Sequence, residues 1–352
     1  MDLQERISAF AKLGEVFRRI GHAPAEEAGL KDKEKAFIAS FDAIREINSW
    51  FDRENILFSF YALGKVMDRT AIESWLHKYP ELNHTGNKKK IGVVMAGNIP
   101  LVGFHDFMSV LITGNRFFGK TSTRDGGLHE AVANKLIAIE PRFSDDIAFT
   151  QDKLSGIDAV IATGSDNTAR HFSWLYRGIP ALIRKNMNSL AILNGSESSA
   201  QLESLSDDIF RYYGLGCRSV SKIFVPDNYD FTLLFRAFEK FNIISNHTSY
   251  RHNLLYQRAN LAMEGTVYID GRNILLTEHT GIASPVGVIY YQSYRNTKTV
   301  HTYLTEMHDK IQCIVADSVQ WPGAIPFGQS QFPALDDYAD REDTIRFILS
   351  IP

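Results

Sequence analysis

Apolar side chains recur at helical spacing through the first fifth of the chain. Phe37, Phe41 and Ile44 stand at i, i+4 and i+7, one stripe on one helix face. Residues 3 to about 78 therefore read as helical, punctuated by Pro24 within HAPAEEAGLKDKE. After YPELNHTGNKKK the period changes. KIGVVMAG, Lys90 to Gly97, is a short apolar run closed by glycine and predicts a buried strand. LVGFHDFMSVLITG predicts a helix closed by Gly114, RFFGKTS a second strand and GLHEAVANKLIAIEP a second helix. DIAFTQ and DAVIATG predict further strands, DNTARHFSWLYRG a helix, and PALIRK and SLAILNG strands again. Strands alternating with helices imply a parallel sheet covered on both faces. Strand ends at Gly97, Lys120 and Gly164 would then lie along one edge, where ligands of such sheets bind.

From about residue 196 a second unit begins. SSAQLESLSDDIFRYYG predicts a helix and SKIFVP a strand, followed by helices across 229–245 and 250–263. GTVYID, NILLTE, SPVGVIYYQ and IQCIVADS predict strands, with TKTVHTYLTEMH a helix before the last of them. TIRFILSIP at the C-terminus is apolar and β-like. The pattern contains no internal repeat and no low-complexity tract.

Composition narrows the function classes. A chain of 352 residues suggests two domains, and 44% apolar with 22% charged residues is ordinary for a soluble globular protein. A net charge of −3 gives no basic surface for nucleic acid, and Lys88–Lys90 reads as a solvated strand cap. Two cysteines build no disulfide framework, which fits a reducing compartment. The start, MDLQERISAF, lacks a secretory pattern, and no run approaches the ~20 apolar residues of a membrane span. A cytoplasmic protein without a membrane span is expected. No metal site is evident: the eleven histidines are scattered, without HExxH or CxxC. G-x-S-x-G, GxxxxGK[ST] and an intact G-x-G-x-x-G are also missing, since GLGC breaks off after two glycines.

One nucleophile candidate stands out. Cys217 lies in YYGLGCRSVSKIFVP, between small residues and an apolar strand. A thiolate is strongly nucleophilic, and Gly214 and Gly216 would let a carbonyl approach the backbone closely. The Cys217 N–H could then face a developing oxyanion. A packed cysteine in a helix-to-strand turn is the competing reading. Cys313, inside IQCIVADS, alternates with apolar residues and reads as core.

Five motifs in order decide between them. AGNIPL carries Asn98-Ile99-Pro100; RFFGKTST ends a strand on Lys120; IATGSDN carries Thr163-Gly164-Ser165; GLGCRSVSKIFVP carries Cys217; and a Pro-Phe-Gly motif starts at Pro326. Over residues 90 to 352 the chain resembles the aldehyde dehydrogenase superfamily, most closely its acyl-CoA reductase (LuxC-type) branch. The resemblance implies an aldehyde-dehydrogenase-like α/β fold: a Rossmann-type parallel-sheet cofactor domain and an α/β catalytic domain, with a helical N-terminal extension. The division expected is residues 1–195 for the helices and NAD(P)-binding domain, 196–325 for the catalytic domain, and 326–352 for a C-terminal segment that bridges subunits in such families.

The resemblance also implies roles. Cys217 would be the nucleophile, and the Asn98 amide would meet the oxyanion with the Cys217 N–H. Lys120 would bind the cofactor's adenosine ribose. Gly164 and Ser165 would approach its phosphates at a helix start, and Glu278 would hold the nicotinamide ribose. NAD-preferring members carry a glutamate three residues after the lysine; here Thr123 stands there, between Ser122 and Arg124. Hydroxyls and a guanidinium favour a 2′-phosphate, so NADPH is expected ahead of NADH. The glutamate that activates water in hydrolytic members falls near Arg184, so no carboxylate serves there. Acyl transfer between Cys217 and a thiol, followed by reduction to the aldehyde, is the expected reaction. Its substrate would be an acyl-CoA or related thioester. Reduction of an acyl-phosphate, or a non-catalytic scaffold for an acyl transferase or ligase, are the alternatives. A partner of that kind and a homo-oligomer are further expectations.

Overall fold

The computed structural model describes residues 1–22, 30–83, 87–164 and 166–352. Pro24 and Ser165 lie outside the described residues. The chain divides into two compact units, one of Met1–Asn186 with Phe332–Pro352, the other of Met187–Gln331.

Among the described residues, the first unit opens with five α-helices: α1 (Leu3–Gly21), α2 (Asp32–Ala39), α3 (Phe41–Ile47), α4 (Arg53–Val66) and α5 (Arg69–Leu76). Side chains of Asp2, Asp52 and Asp68 cap α1, α4 and α5, satisfying amides that helix starts leave open. The predicted stripe is buried, but it spans two helices: Ser40 separates α2 from α3 while staying near helical geometry, φ −73° and ψ −11°. Glycines bring α1 and α4 close. A Cβ at Gly14 would lie 2.2 Å from the Met67 carbonyl oxygen, and one at Gly64 2.6 Å from the Arg18 nitrogen. Phe17 meets Phe60 of α4 at 4.9 Å and Phe104 at 5.2 Å, tying the helices to the sheet layer. Burying one such ring contributes about 1.5–3 kcal/mol.

The sheet layer follows as β1 (Lys90–Val94), α6 (Phe104–Ile112), β2 (Arg116–Lys120), α7 (Leu128–Ile139), β3 (Ile147–Thr150), β4 (Ala159–Thr163), α8 (Asp166–Leu175) and β5 (Ala181–Arg184). Its order is β3-β2-β1-β4-β5, all parallel. Val94 pairs with Lys120 and Thr163 with Arg184, so the Gly97, Lys120 and Gly164 strand ends share one edge, as the pattern predicted.

The second unit contains β6 (Asn188–Ile192), α9 (Ser199–Phe210), β7 (Val220–Pro226), α10 (Thr232–Phe238), α11 (Thr248–Met263), β8 (Tyr268–Asp270), β9 (Leu275–Glu278), β10 (Val288–Tyr294), α12 (Thr297–Glu306) and β11 (Ile311–Val315). Its sheet runs β11-β6-β7-β10-β9-β8, parallel except for β8. SLAILNG therefore belongs to this second sheet, where β6 fills the place between β11 and β7, and not to the first unit as expected from its position before residue 196.

The C-terminal segment also differs from expectation. Pro326–Gln331 stays with the second unit, and the remainder returns to the first. TIRFILSIP forms not a strand but the helix α13 (Thr344–Leu349). Asp343 caps it through the Arg346 N–H at 2.8 Å, and Ile345 and Ile348, three apart, are buried in their own unit. Tyr338 accepts from Trp75 Nε1 at 2.7 Å and meets the Tyr79 hydroxyl at 2.7 Å, fastening the returning chain to α5 and the residues just after it. No helix among the described residues is long and apolar enough to cross a membrane.

Candidate active site

The first unit contributes a turn and a hydroxyl-rich loop at the common edge of its strands. The chain leaves β1 through Gly97, and Asn98 is exposed in the turn before Pro100 and Leu101, whose φ is +56°. Gly97 is required by contact: a Cβ there would sit 2.7 Å from Ser122 Cβ and Oγ and 3.2 Å from Arg124 Cβ. The loop after β2 is thus packed against the Asn98 turn. Asn48, at the end of α3 and buried, joins them from the side, its Nδ2 donating to the carbonyls of Arg124 at 3.1 Å and Gly97 at 3.4 Å. Nothing in the sequence pattern marked Asn48, because a capping asparagine has no local feature that shows a partner 76 residues away.

Ser122 Oγ accepts from the Arg124 N–H at 3.2 Å, opening a short helical turn in which Thr123 and Arg124 face solvent. Asp125 is turned inward and buried. It accepts from the His129 N–H at 3.0 Å and meets His129 Nδ1 at 2.5 Å. Lys120 Nζ donates to the carbonyls of Gln151 and, at 3.0 Å, Asp152, so it braces the loop after β3. Gly164 lets α8 begin close to β4, since a Cβ would lie 2.6 Å from Thr168 Cγ2.

Arg184, near the position of the hydrolytic glutamate in the resemblance, is buried at the end of β5. Its Nη1 donates to both Asp106 carboxylate oxygens, at 2.9 and 2.8 Å, and its Nη2 to Thr344 Oγ1 at 2.6 Å. Asp106 is in the first turn of α6. Its carboxylate is thus taken up in a buried ion pair.

The second unit presents Cys217 to solvent. Three consecutive residues after α9 are left-handed: Tyr212 at φ +53°, Tyr213 at +59° and Gly214 at +74°. For the two tyrosines this costs about 1–2 kcal/mol each. Packing offsets it: both rings are buried, and Tyr213 lies 4.3 Å from the His247 ring and 6.0 Å from that of Tyr250. The reversal throws the chain into a turn closed by the Ser219 N–H on the Gly216 carbonyl at 3.0 Å, with Cys217 at its tip ahead of β7. Strain of this kind concentrates at functional sites.

Ser189, on β6 and fully buried, holds the turn from behind. Its hydroxyl donates to the Cys217 carbonyl at 2.9 Å and accepts from the Cys313 N–H at 3.3 Å, with Cys313 Sγ at 3.0 Å. Burial pushes the Cys313 thiol up to about 11, so the two cysteines differ as expected: one exposed, one inert in the core.

Glu278 is exposed at the end of β9. It pairs with Tyr291, which pairs with Ile223. Glu278 is therefore two strands across from β7, level with a residue three beyond that strand's start.

Residues 27–235 match the family described as Acyl-CoA reductase (LuxC). Among curated proteins none matches. Similar solved structures include a NAD-dependent benzaldehyde dehydrogenase from Corynebacterium glutamicum, at 11% identity and TM-score 0.61, covering 90% of this chain and 76% of that one. An NAD+ complex of aldehyde dehydrogenase from Bacillus cereus follows at 13% and 0.59, covering 90% and 72%. The NADP-dependent glyceraldehyde-3-phosphate dehydrogenase from Bacillus halodurans, complexed with NADP, gives 12% and 0.58, covering 90% and 74%. At these identities the likeness is one of fold.

Proposed function

Because the chain belongs to the LuxC acyl-CoA reductase family and is an oxidoreductase of aldehyde-dehydrogenase fold, we propose that it reduces an acyl thioester to the aldehyde with NADPH, through an acyl group carried on Cys217. The exposure of Cys217 at the tip of a left-handed turn carries this reading.

Cys217, as thiolate, attacks the thioester carbonyl, and collapse of the tetrahedral intermediate expels the thiol and leaves the acyl-enzyme. The Asn98 side chain is proposed to donate to the oxyanion, an effect commonly worth about 3–4 kcal/mol of barrier. A reduced nicotinamide, when bound, would supply hydride to the acyl carbon, giving the thiohemiacetal anion. Breakdown of that adduct returns the Cys217 thiolate and frees the aldehyde.

The loop after β2 fits the phosphorylated cofactor. Ser122, Thr123 and Arg124 offer hydroxyls and a guanidinium, and the adjacent carboxylate, Asp125, is buried against His129 and does not face them. Lys120 would address the ribose; an ammonium has three donors, of which two serve the Gln151 and Asp152 carbonyls. The Arg184–Asp106 pair supports reduction over hydrolytic oxidation, since a guanidinium stands at that place and its partner carboxylate is held in an ion pair.

The test is direct. Purified protein mixed with a long-chain acyl-CoA and NADPH should consume the absorbance of the reduced nicotinamide, and Cys217→Ala should abolish this. Unaltered turnover in Cys217→Ala refutes the nucleophile. No oxidation with any thioester, while an acyl-phosphate is reduced, refutes the substrate class.

A further inference from the structure

The helices before residue 90 lie outside the stretch that carries the resemblance, and the reaction above gives them no role. One side chain at the end of α3 nevertheless reaches both loops on which the first unit's part in that reaction depends. Asn48 is buried, and its amide is fully engaged. Nδ2 donates to the Arg124 carbonyl at 3.1 Å and to the Gly97 carbonyl at 3.4 Å, and Oδ1 accepts from the Trp50 N–H at 3.2 Å. An asparagine NH₂ carries two hydrogens, and here there is an acceptor for each. Turned over, the amide would set its oxygen against two carbonyls, so the surroundings fix its orientation. The backbone is held as well: the Asn48 N–H donates to the Ile44 carbonyl at 3.0 Å, and the Asn48 carbonyl accepts from the Phe51 N–H at 2.9 Å.

The two acceptors matter by their place in the chain. The Gly97 carbonyl belongs to the peptide that leads into Asn98, and the Arg124 carbonyl to the peptide that closes the Ser122–Arg124 run. The loops already touch, because a Cβ at Gly97 would lie 2.7 Å from Ser122 Oγ. Van der Waals contact alone lets one loop slide over the other. Two directed hydrogen bonds from one planar amide set their distance and register. The end of α3 is itself seated on the second loop: Ile44 is buried, and a Cβ at Gly126, where φ is +63°, would lie 3.0 Å from Ile44 Cγ2. Further along, Asp125 accepts from the His129 N–H at 3.0 Å and so ties the same loop to α7.

We propose that Asn48 is a positioning residue for both steps of the reaction: its amide locks the Asn98 turn to the Ser122–Arg124 loop, so that the oxyanion donor and the groups that meet the cofactor's 2′-phosphate are set by one side chain. Its effect on catalysis rests on the function proposed above; the locking of the two loops does not. A donor misplaced by about 1 Å can cost about a hundredfold in rate. Loss of two neutral hydrogen bonds loosens the loops rather than displacing them, so about tenfold is expected at each.

Asn48→Leu, which keeps the bulk and removes both donors, tests this in the full chain. Hydrogen exchange read by mass spectrometry should show protection falling roughly tenfold in peptides covering 95–104 and 121–128 together, with the rest of the first unit unchanged. Equal protection in variant and wild type, or loss in one loop only, overturns the lock. Asn48→Ser, which leaves room for a water, gives the same reading should the leucine variant not fold. Acyl-Cys217 formation from an acyl-CoA without cofactor, followed by quenching and intact mass, should slow about tenfold in Asn48→Leu. In an Asn98→Ala background the same change should slow it less than about twofold, because the amide acts through Asn98. Undiminished slowing there shows a general loss of structure and overturns the positioning role. Affinity for adenosine 2′,5′-bisphosphate should fall about tenfold in Asn48→Leu and that for adenosine 5′-monophosphate should not; an equal fall in both also overturns it. A wild-type chain that forms no acyl-enzyme with any thioester, yet loses protection in both loops on Asn48→Leu, upholds the lock and refutes the function.

Discussion

Removing Arg184 measures the buried ion pair that anchors the helix after the Asn98 turn. The Arg184 side chain is 2% exposed and that of Asp106 10%. In Arg184→Met the aliphatic stem is replaced, but Asp106 loses its buried partner, Asp340 loses a favourable neighbouring charge and Thr344 Oγ1 loses its guanidinium. Stripping one partner from a buried pair costs about 3–5 kcal/mol, whereas replacing both with apolar side chains is often neutral. The first unit holds about two hundred residues, so about 4 kcal/mol lowers its Tm by roughly 8–16 °C. Urea unfolding followed by tryptophan fluorescence reads this unit, because Trp50, Trp75 and Trp174 lie in it and only Trp321 does not. Asp106→Leu combined with Arg184→Met should recover most of the loss. A single variant within about 1 kcal/mol of wild type, or a double variant no more stable than the single, refutes the account.

Three further outcomes follow from the site. Iodoacetamide under native conditions should alkylate Cys217 and spare Cys313, read by peptide mass; equal labelling would contradict the burial and raised thiol of Cys313. Arg124→Glu should weaken NADPH far more than NADH, with a change in the ratio of their KM values of at least about tenfold; an unchanged ratio removes Arg124 from the cofactor reading. Asp208, buried on α9 and accepting from the N–H groups of Gly328 at 2.6 Å and Ser330 at 2.9 Å, is pushed up to about 6 by burial. The folded chain therefore holds a proton there that the unfolded chain releases near 3.9, and this contribution is lost as pH rises from about 4 to about 6, to a limit of about 3 kcal/mol. Asp208→Asn should lack that slope in denaturant unfolding, and an identical slope would show that Asp208 ionises as freely as in the unfolded chain.

Much of the architecture was legible in the chain because it is encoded locally. Period-2 and period-3.6 patterning and glycine stops marked β1 to β11 and the main helices, since each reports which face of a short segment must leave water. The ordered motifs likewise placed Asn98, Lys120 and Cys217 at strand ends. TIRFILSIP was misleading because isoleucines favour strands while Asp343 and the spacing of Ile345 and Ile348 suit a capped helix; packing of those isoleucines in the core decided it. SLAILNG looked like the end of the first unit because a strand's sequence does not say which sheet it joins. What the tertiary structure alone settled are contacts between distant positions: Asn48 on Arg124 across 76 residues, Ser189 on the Cys217 carbonyl across 28, and Lys222 on His279 across 57. A side-chain donor aimed at a remote backbone carbonyl has no periodicity and no fixed spacing. Its partner exists only once hydrophobic burial has brought the two segments together, and so these restraints cannot be read from the residues that make them.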